Sequence, residues 1–389
     1  MHHHRAIAIV FAVHGAVSGS LATRLPWIQD HLGLTPGMLG FALLCAPIGS
    51  FVGMPMASRL AYRIGARTAV RLLLALWCAG LALPALAPVQ VALFGAFVLY
   101  GATAGMCDVV MNGHAVSLER RLGRSIMSGL HGMWCLGSLA AGGVGVLAAH
   151  NGVDARLHLG GAALVLLGLG ALAGRGLWAE PPAPGAAAPR RYALPPRSIL
   201  LVGLVGFAGT FAEGSSADWA AVYVTDVAGA GPGLAAATYT VFMLCMASAR
   251  LAGDLLVRRF GPVAVVRGGG VAAVLGGAVV VASRTPVLCT AGFALIGLGV
   301  AAVVPLVFAA AGNRGTTPGE GVAGVATITY MSALIAPAVT GWVAGATSYP
   351  VAFAVITCVV ALMTVLAGAM RPPAPAATAD AASLREVGA

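Results

Sequence analysis

The sequence predicts an all-α membrane protein with twelve transmembrane helices in two pseudo-symmetric six-helix bundles. Of its 389 residues, 59% are hydrophobic and 9% are charged, whereas a soluble domain carries about 25% charged residues. Its mean hydropathy is +0.92. The apolar segments are continuous and long enough for a helix to cross the roughly 30 Å hydrocarbon core. They lack the alternation of a membrane β-barrel strand.

Twelve apolar segments can be counted along the chain. They lie at approximately 6–28, 37–58, 68–88, 91–118, 127–149, 157–178, 199–223, 233–257, 263–283, 286–311, 321–346 and 350–370. Between the sixth and the seventh comes AEPPAPGAAAPRRYALPPR, which is rich in Pro and Ala and is typical of a flexible connector. We therefore predict an N-terminal bundle at 1–178, a cytoplasmic linker at 179–198, a C-terminal bundle at 199–371 and a disordered tail at 372–389.

The distribution of arginine predicts the orientation. All 22 Lys and Arg residues are arginine, and most border the even-numbered loops: Arg59, Arg63, Arg67, Arg71, Arg120, Arg121, Arg124, Arg190, Arg191, Arg197, Arg258, Arg259 and Arg267. Short cytoplasmic loops carry an excess of positive charge. Both termini are therefore predicted to be cytoplasmic, in a multi-pass protein of a bacterial cytoplasmic (inner) membrane. The same asymmetry explains the net charge of +10, so no nucleic-acid partner is expected.

Cysteine and lysine usage bears on cofactors and energy supply. The seven cysteines all fall inside predicted helices, without metal-ligand spacing, and are interpreted as small buried hydrophobic residues. A chain without lysine cannot form a nucleotide-binding loop of the form GxxxxGK[ST]. We expect no cofactor, with the proton gradient as the driving force. The expected partners are a small-molecule substrate and the lipid bilayer, and the expected state is a monomer.

An internal repeat relates the two halves. ASRLAYRIG at 57–65 and GDLLVRRFG at 253–261 align without gaps and match at Leu60/Leu256, Arg63/Arg259 and Gly65/Gly261. Both stretches follow the second predicted helix of their half. Transporters are often built from two related halves, so the repeat indicates a transporter.

These two loops, together with twelve helices and a long central connector, resemble the major facilitator superfamily over the whole chain. The loop signature of that family is G-x-L-a-D-R-x-G-R/K. The second copy keeps Gly253 and Asp254 together, whereas the first has Tyr62 where the signature has Asp. The resemblance implies the major facilitator fold and a gating role for Arg63, Gly65, Arg250, Gly253, Asp254 and Arg259. Simple anchoring of the topology is the alternative role for the arginines.

Four stretches are similar to one branch of that superfamily, the YbjJ-like bacterial permeases, which are distantly related to fucose permeases. They are DVVMN at 108–112, ERRLGRSIMSGLHG at 119–132, EGSSADWAAVYVTD at 213–226 and ARLAGDLLVRRFG at 249–261. The resemblance implies transport by alternating access but does not indicate a substrate.

Asp108 is the one charged residue in the segment from Val91 to Leu118. It precedes Glu119 by eleven residues, which places it about 16 Å from the cytoplasmic end of its helix. A charged residue at this depth is costly and by default faces a cavity. Asn112 and Gly105 share its helix face. We predict that Asp108 and Asn112 bind a proton or substrate; a structural hydrogen bond is the alternative.

Histidine and tryptophan add candidates in the first half. His131 lies about one turn inside the fifth predicted helix. A histidine there can exchange protons at physiological pH, and it is a candidate relay partner of Asp108 or Asn112. Trp134 could stack on a sugar ring or pack in the core. His14 lies in the first predicted helix.

The seventh predicted helix carries the counterpart in the second half. Glu213 lies fourteen residues from Ile199, near the membrane midplane, and is the preferred second central acid. Asp218 lies nearer the periplasmic end, where an interfacial position is sufficient explanation. Tyr239 and Tyr330 could supply hydroxyl groups to the substrate or proton site.

Glycines four residues apart recur in three helices. The pairs are Gly15 and Gly19, Gly49 and Gly53, and Gly101 and Gly105. Small residues at this spacing let helix backbones approach closely in membranes, so close helix packing is predicted.

The function predicted from the sequence is secondary active transport of a small polar solute, coupled to protons. A drug or metabolite efflux antiporter is the first alternative. Such antiporters carry G-P-x-x-G-G in the fifth helix, whereas GSLAAGG at 137–143 lacks the proline. A membrane-embedded enzyme is a second alternative and would need a compact constellation of reactive side chains. A passive facilitator or a receptor also stays open.

Overall fold

The computed structural model describes residues 2–34, 36–179, 197–314 and 319–372. Those residues form fourteen α-helices: α1 (His2–Ala22), α2 (Leu25–His31), α3 (Pro36–Ile64), α4 (Ala66–Gly80), α5 (Leu83–Leu86), α6 (Gln90–Leu122), α7 (Met127–His150), α8 (Ala155–Arg175), α9 (Leu200–Asp226), α10 (Pro232–Ala282), α11 (Pro286–Val300), α12 (Val303–Gly312), α13 (Glu320–Ala346) and α14 (Tyr349–Leu366). Single 3₁₀ turns occur at Arg197–Ile199 and Ala367–Met370.

Eleven helical segments of the described chain are long and apolar enough to cross a membrane. One of them, Ala237–Ala282, has 46 residues, about twice the length that a single crossing needs. It is broken at Gly261, whose φ of 79° and ψ of 161° are not helical, and Pro262 follows. The break divides α10 into two crossings, so the predicted twelve-helix fold is confirmed.

The two halves place corresponding helices side by side. In the first half α1 packs on α7 and α3 on α6; in the second half α9 packs on α13 and α10 on α11. The loops of the sequence repeat also share their backbone, because Gly65 has φ 82° and ψ 142°, close to the values at Gly261. Only glycine enters this region readily. The repeat in the sequence is therefore a repeat in the structure.

Close approach between helices explains the spaced glycines. A Cβ atom added at Gly15 of α1 would lie 2.0 Å from the backbone oxygen of Trp134 on α7. One added at Gly101 of α6 would lie 1.8 Å from the backbone oxygen of Ala46 on α3. Neither distance can accommodate a carbon atom. The predicted close packing is confirmed.

Several predicted boundaries shift. The first apolar segment, predicted at 6–28, is a helix that begins at His2 and ends at Ala22, followed by the separate short helix α2. Pro26 lies in the first turn of α2, where a missing N–H does no harm. Most of the predicted linker, 180–196, and of the predicted tail, 373–389, lies outside the described residues. The domain boundaries stay a prediction.

An even number of crossings brings the start of α1 and the end of α14 to one end of the molecule. We call this the terminal end and the other the far end. The terminal end carries Gly65 and Gly261, the connection from α6 to α7 and the start of α13. The helices α1, α6, α7, α9, α10 and α13 supply the candidate site residues at the centre.

Candidate functional site

Asp108 and Asn112 form a polar pair on α6. The Asn112 amide donates to the Asp108 carboxylate at 3.1 Å and to its backbone oxygen at 2.9 Å. Tyr330 of α13 interacts with the same carboxylate from the opposite half. Asn112 is fully buried, and its Oδ1 has no hydrogen-bond partner within the described chain. The structure thus brings three of the predicted binding residues together.

The Asp108 carboxylate has no cation beside it in the described part of the protein. An ionised carboxylate without a partner is costly at this depth. Protonation or a polar ligand relieves that cost. The unsatisfied Asn112 Oδ1 adds an acceptor that can receive a ligand hydroxyl or amine.

The second half holds its central acid in an ion pair. Arg250 of α10 donates to both carboxylate oxygens of Glu213 on α9, at 2.9 Å and 2.7 Å. Its Nε donates to the backbone oxygen of Ala301 at 3.0 Å, and it contacts the Cys135 sulfur on α7 at 3.3 Å. The side chains of Arg250 and Glu213 are 5% and 25% exposed. The buried arginine therefore anchors a carboxylate that remains accessible.

This placement changes the grouping of Arg250. The resemblance placed it with Asp254 among the gating residues, and its side chain pairs with Glu213 at the centre. Asp254 lies one helical turn further along α10 and binds other groups. The two residues thus make separate sets of contacts.

His14 and Trp134 belong to a stack of rings in the first half. The Trp134 Nε1 donates to His14 Nδ1 at 3.0 Å, and His14 Nε2 lies 3.4 Å from the backbone oxygen of Ala104. The His14 ring stacks on Trp77 with centroids 5.2 Å apart, and Trp77 contacts Tyr100 at 4.0 Å. His14 is buried. Both of its ring nitrogens are therefore engaged by protein groups.

His131 is placed between two phenylalanine rings. Its centroid lies 5.3 Å from that of Phe11 on α1 and 6.0 Å from that of Phe308 on α12. Its Nδ1 hydrogen-bonds to the backbone oxygen of Met127, in its own helix, at 3.0 Å. Among the described residues none of its hydrogen bonds or ring contacts reaches Asp108 or Asn112. The relay pairing stays a prediction.

Asp218 and Tyr239 lie apart from the central groups. Asp218 is exposed on α9, and Tyr239 on α10 is 43% exposed. The charge of Asp218 acts on Tyr239, so these two lie near each other, closer to the far end than Glu213. Their predicted role in binding is untested.

Asp254 binds the start of α7 across the interface between the halves. Its Oδ1 accepts from the Ser125 hydroxyl at 2.8 Å and from the Ser128 N–H at 3.0 Å, and its Oδ2 accepts from the Gly129 N–H at 2.7 Å. A helix N-terminus presents free N–H groups and positive potential, which favour a carboxylate. We call these contacts the Asp254 latch.

Close packing surrounds the Asp254 latch. The Ser128 hydroxyl donates to the backbone oxygen of Arg250 at 2.7 Å. A Cβ added at Gly253 would lie 2.1 Å from that hydroxyl. Gly253 is therefore needed where α10 crosses α7, beside the latch.

The first half makes a smaller contact at the equivalent place. Ser58 of α3 aligns with Asp254 in the gapless repeat, and its hydroxyl donates to the backbone oxygen of Gly319, just before α13, at 3.2 Å. We call this contact the Ser58 latch. Arg63 and Arg259, predicted gating residues, are both exposed. Arg259 lies over the ring of Phe260 at 5.4 Å.

Other contacts join the halves at the same end. Arg258 donates to the Ser125 backbone oxygen at 3.0 Å. Arg120 donates to Asn313 Oδ1 at 2.5 Å and also to the backbone oxygen of Gly312. Together with the two latches, these contacts close the terminal end.

Sequence reasoning missed several of these contacts. Ser125 carried a signal, since serine shortly before a helix often marks its N-terminus, whereas Ser128 lies inside the first turn of α7. Ser58 could have been found from the gapless repeat itself, which aligns it with Asp254. The contact of Cys135 with Arg250 had no signal, because it joins residues 115 apart through tertiary packing.

Comparison with known proteins places the chain in a family. A family model described as the Major Facilitator Superfamily matches residues 7–316. An uncharacterized MFS-type transporter of Yersinia pestis is 32% identical over 376 residues, covering 93% of this chain and 94% of the relative. The uncharacterized transporter y4wD of Sinorhizobium fredii is 32% identical over 371 residues, covering 94% and 98%.

A solved structure shares the fold. The fucose:proton symporter FucP of E. coli matches with a TM-score of 0.74 at 15% identity, covering 95% of this chain and 98% of FucP. A structure of FucP in the outward conformation gives the same TM-score at 16% identity. The family and the relatives are transporters and not enzymes, which excludes the membrane-embedded enzyme. The chain therefore belongs to the Major Facilitator Superfamily and is a multi-pass membrane transporter of small molecules.

Proposed function

We propose that the protein is a proton-coupled secondary transporter of a small polar solute in a bacterial cytoplasmic membrane, acting as a monomer by alternating access. The observation that carries this proposal is the pair of unlike acids at the centre. Asp108 has no cation beside it within the described chain, whereas Glu213 is held by Arg250. The first is suited to proton exchange and the second to a stable charge.

The central groups come from both halves. Coupling of proton and solute binding to a movement between the halves requires such an arrangement. Asp108 on α6 meets Tyr330 on α13, and Arg250 on α10 contacts Cys135 on α7. A solute bound between them touches elements that move apart when the halves rock. A proton on Asp108 changes the charge of that surface, so proton and solute occupancy influence each other.

The latches supply the conformational part of the proposal. The Asp254 latch and the Ser58 latch both join the halves at the terminal end. If that end is cytoplasmic, as the arginines predict, this state faces outward. Opening toward the cytoplasm then requires both latches to release.

FucP is a fucose:proton symporter, and this adds support for proton coupling. That substrate belongs to FucP, and identity of 15% carries the fold alone. For this chain we propose only a small solute with hydroxyl or amino groups. Asn112 Oδ1 and the Asp108 carboxylate are the acceptors that would bind such groups.

The test is thermal stabilisation of the purified protein by sugars, organic acids, amino acids, nucleosides and cationic drugs, at pH 5.5 and at pH 7.5. A ligand that binds the folded state raises the unfolding temperature. We expect a polar solute to stabilise the protein and the effect to differ between the two pH values. Stabilisation by lipophilic cations alone would replace the proposal with a proton-driven efflux antiporter.

The solute so identified then distinguishes a symporter from a passive facilitator. In proteoliposomes a symporter accumulates the solute against its gradient when a proton gradient is imposed. A facilitator shows counterflow without such accumulation. The second result would contradict proton coupling while leaving transport intact.

A further inference from the structure

A groove lies between α3 and α6 in the first half, near the terminal end. It is a cavity of about 300 Å³ lined by Met56, Arg59, Leu60, Arg63 and Met106. The first four residues come from α3 and the last from α6. Its wall is therefore apolar, with two guanidinium groups toward the end of α3. We call it the α3/α6 groove.

The groove continues as an apolar track along α3. Ile48 and Val52 precede Met56 at intervals of four residues, so the three share one helix face, and they are 48%, 63% and 37% exposed. Arg59 and Arg63 continue the same face toward the terminal end.

The α6 side of the track is exposed as well. Leu99 on α6 is 59% exposed. The helices touch at Gly53, where an added Cβ would lie 3.1 Å from Met106 Cγ. The close approach of α3 and α6 forms the shallow floor of the groove and of the apolar track that continues it.

The two arginines have no protein partner in the part of the chain that the structure describes. Neither Arg59 nor Arg63 takes part in a hydrogen bond or an ion pair there. Ser58, which forms the smaller latch, points to a different face of α3 and toward α13. Two unpaired cations therefore lie side by side above an apolar track.

We infer that the α3/α6 groove binds an anionic phospholipid. The headgroup phosphate accepts hydrogen bonds from Arg59 and Arg63, since guanidinium groups bind phosphate oxygens in a planar fork. An acyl chain lies along Met56, Val52 and Ile48. Basic pockets between transmembrane helices on the cytoplasmic side bind such headgroups, and the arginine distribution predicts that this end is cytoplasmic.

A lipid fits better than a free phosphate ion for a physical reason. Free phosphate would use the two arginines and leave the apolar track uncovered. A phospholipid contacts both features, because its charged headgroup can lie at the two arginines while its acyl chain covers the apolar track. The site lies on the opposite side of α6 from Asp108, so the inference does not depend on the proposed transport function.

The test is native mass spectrometry of the full-length protein released from detergent micelles. Phosphatidylglycerol and phosphatidylcholine with identical acyl chains are titrated separately. We expect retained phosphatidylglycerol at lower concentration than phosphatidylcholine. In the double variant Arg59→Gln with Arg63→Gln we expect retention of phosphatidylglycerol to weaken roughly tenfold, because each arginine near an anionic headgroup contributes substantially.

The matched control removes two exposed arginines from the same end, as Arg124→Gln with Arg175→Gln. It loses the same charge and should retain phosphatidylglycerol like the wild type. Equal weakening in both double variants would overturn the site, because it would show attraction to overall charge. Equal retention of both lipids by the wild type would overturn it too.

Two further experiments distinguish the contribution of the lipid headgroup from that of the acyl chain. Inorganic phosphate at millimolar concentration should not displace phosphatidylglycerol; complete displacement would mean that the groove binds a free anion.

Met56→Gln keeps the side-chain length, lies on an exposed position and makes the track polar. We expect it to weaken retention several-fold, and unchanged retention would contradict the placement of the acyl chain. Each readout is lipid binding, so a failed transport assay does not bear on it.

Discussion

The two halves of the molecule repeat one arrangement of helices but distribute their charged groups differently. At the centre, the first half presents Asp108 beside an amide, whereas the second holds Glu213 on Arg250. At the terminal end, Ser58 makes one neutral hydrogen bond, whereas Asp254 accepts three. The first half therefore has the central carboxyl group without a cation beside it in the described chain, and the second half has the stronger latch.

This difference shows how a repeated fold acquires separate tasks. The backbone at Gly65 and Gly261 is nearly the same, so the two halves share the form of this connection at the terminal end. The side chains at equivalent positions need not match. We expect proton exchange to depend mostly on the first half, and closure of the terminal end to depend mostly on the second.

The largest effect is expected from Arg250→Gln. Removing the guanidinium leaves the Glu213 carboxylate without its cation and also removes the contact with Ala301. Breaking one partner of a buried ion pair costs about 3–5 kcal/mol, and the partial exposure of Glu213 favours the lower end. The measurement is the thermal unfolding temperature of the purified protein.

Two further variants sharpen that result. Arg259→Gln, at an exposed arginine of the same helix, should change stability by about 0.5 kcal/mol or less. The double variant Arg250→Gln with Glu213→Gln should recover part of the loss, because no buried charge is left unpaired. Absence of any recovery would show that the ion pair is not the reason for the loss.

Asp108→Asn is expected to abolish proton-driven accumulation of the solute while partly sparing exchange. Asparagine keeps the shape and a hydrogen bond for Tyr330 but cannot release a proton. Accumulation and counterflow in proteoliposomes separate the two activities. Asp226→Asn, at the exposed end of α9, is the matched control. Unchanged accumulation in Asp108→Asn would sink the assignment of this carboxyl group.

Asp254→Ala is expected to slow transport severalfold with near-normal binding of the solute. It removes an acceptor from the Ser125, Ser128 and Gly129 donors, and hydrogen bonds to charged groups contribute about 1.5–3 kcal/mol each. The state that is closed at the terminal end is thereby destabilised. Transport rate and ligand-induced stabilisation are measured on the same preparation. A loss confined to binding would count against a latch.

Ser58→Ala is expected to have the smallest effect. Only one neutral hydrogen bond, 3.2 Å long, is removed, which contributes about 0.5–1.5 kcal/mol. Transport should stay within roughly twofold of the wild type. Slowing equal to that of Asp254→Ala would remove the distinction between the two latches.

Most of the fold could be predicted from the sequence because the bilayer restricts it. Long apolar segments must be helical there, and Pro262 after Gly261 marked the break within α10. Helix ends were less certain. The first helix ends at Ala22 and is followed by the separate helix α2, a boundary that the continuous apolar pattern did not reveal.

The candidate site was predictable residue by residue but not contact by contact. Asp108 and Asn112 lie four residues apart on one helix, so their pairing followed from helical spacing. Arg250 and Glu213 lie on different helices, and their pairing depends on how α9 and α10 pack. His131 turned toward its own backbone, an orientation that spacing along a helix does not determine.

The sequence by itself determined that the chain crosses the membrane twelve times, that its halves are related, and that carboxyl groups lie at membrane depth. These properties depend on composition and local spacing, because the bilayer requires long apolar segments to be helical. Only the tertiary structure decided which acid has a cation and which helix start receives Asp254. Those contacts join residues 37 and 125 or more positions apart, and their geometry depends on the packing of whole helices.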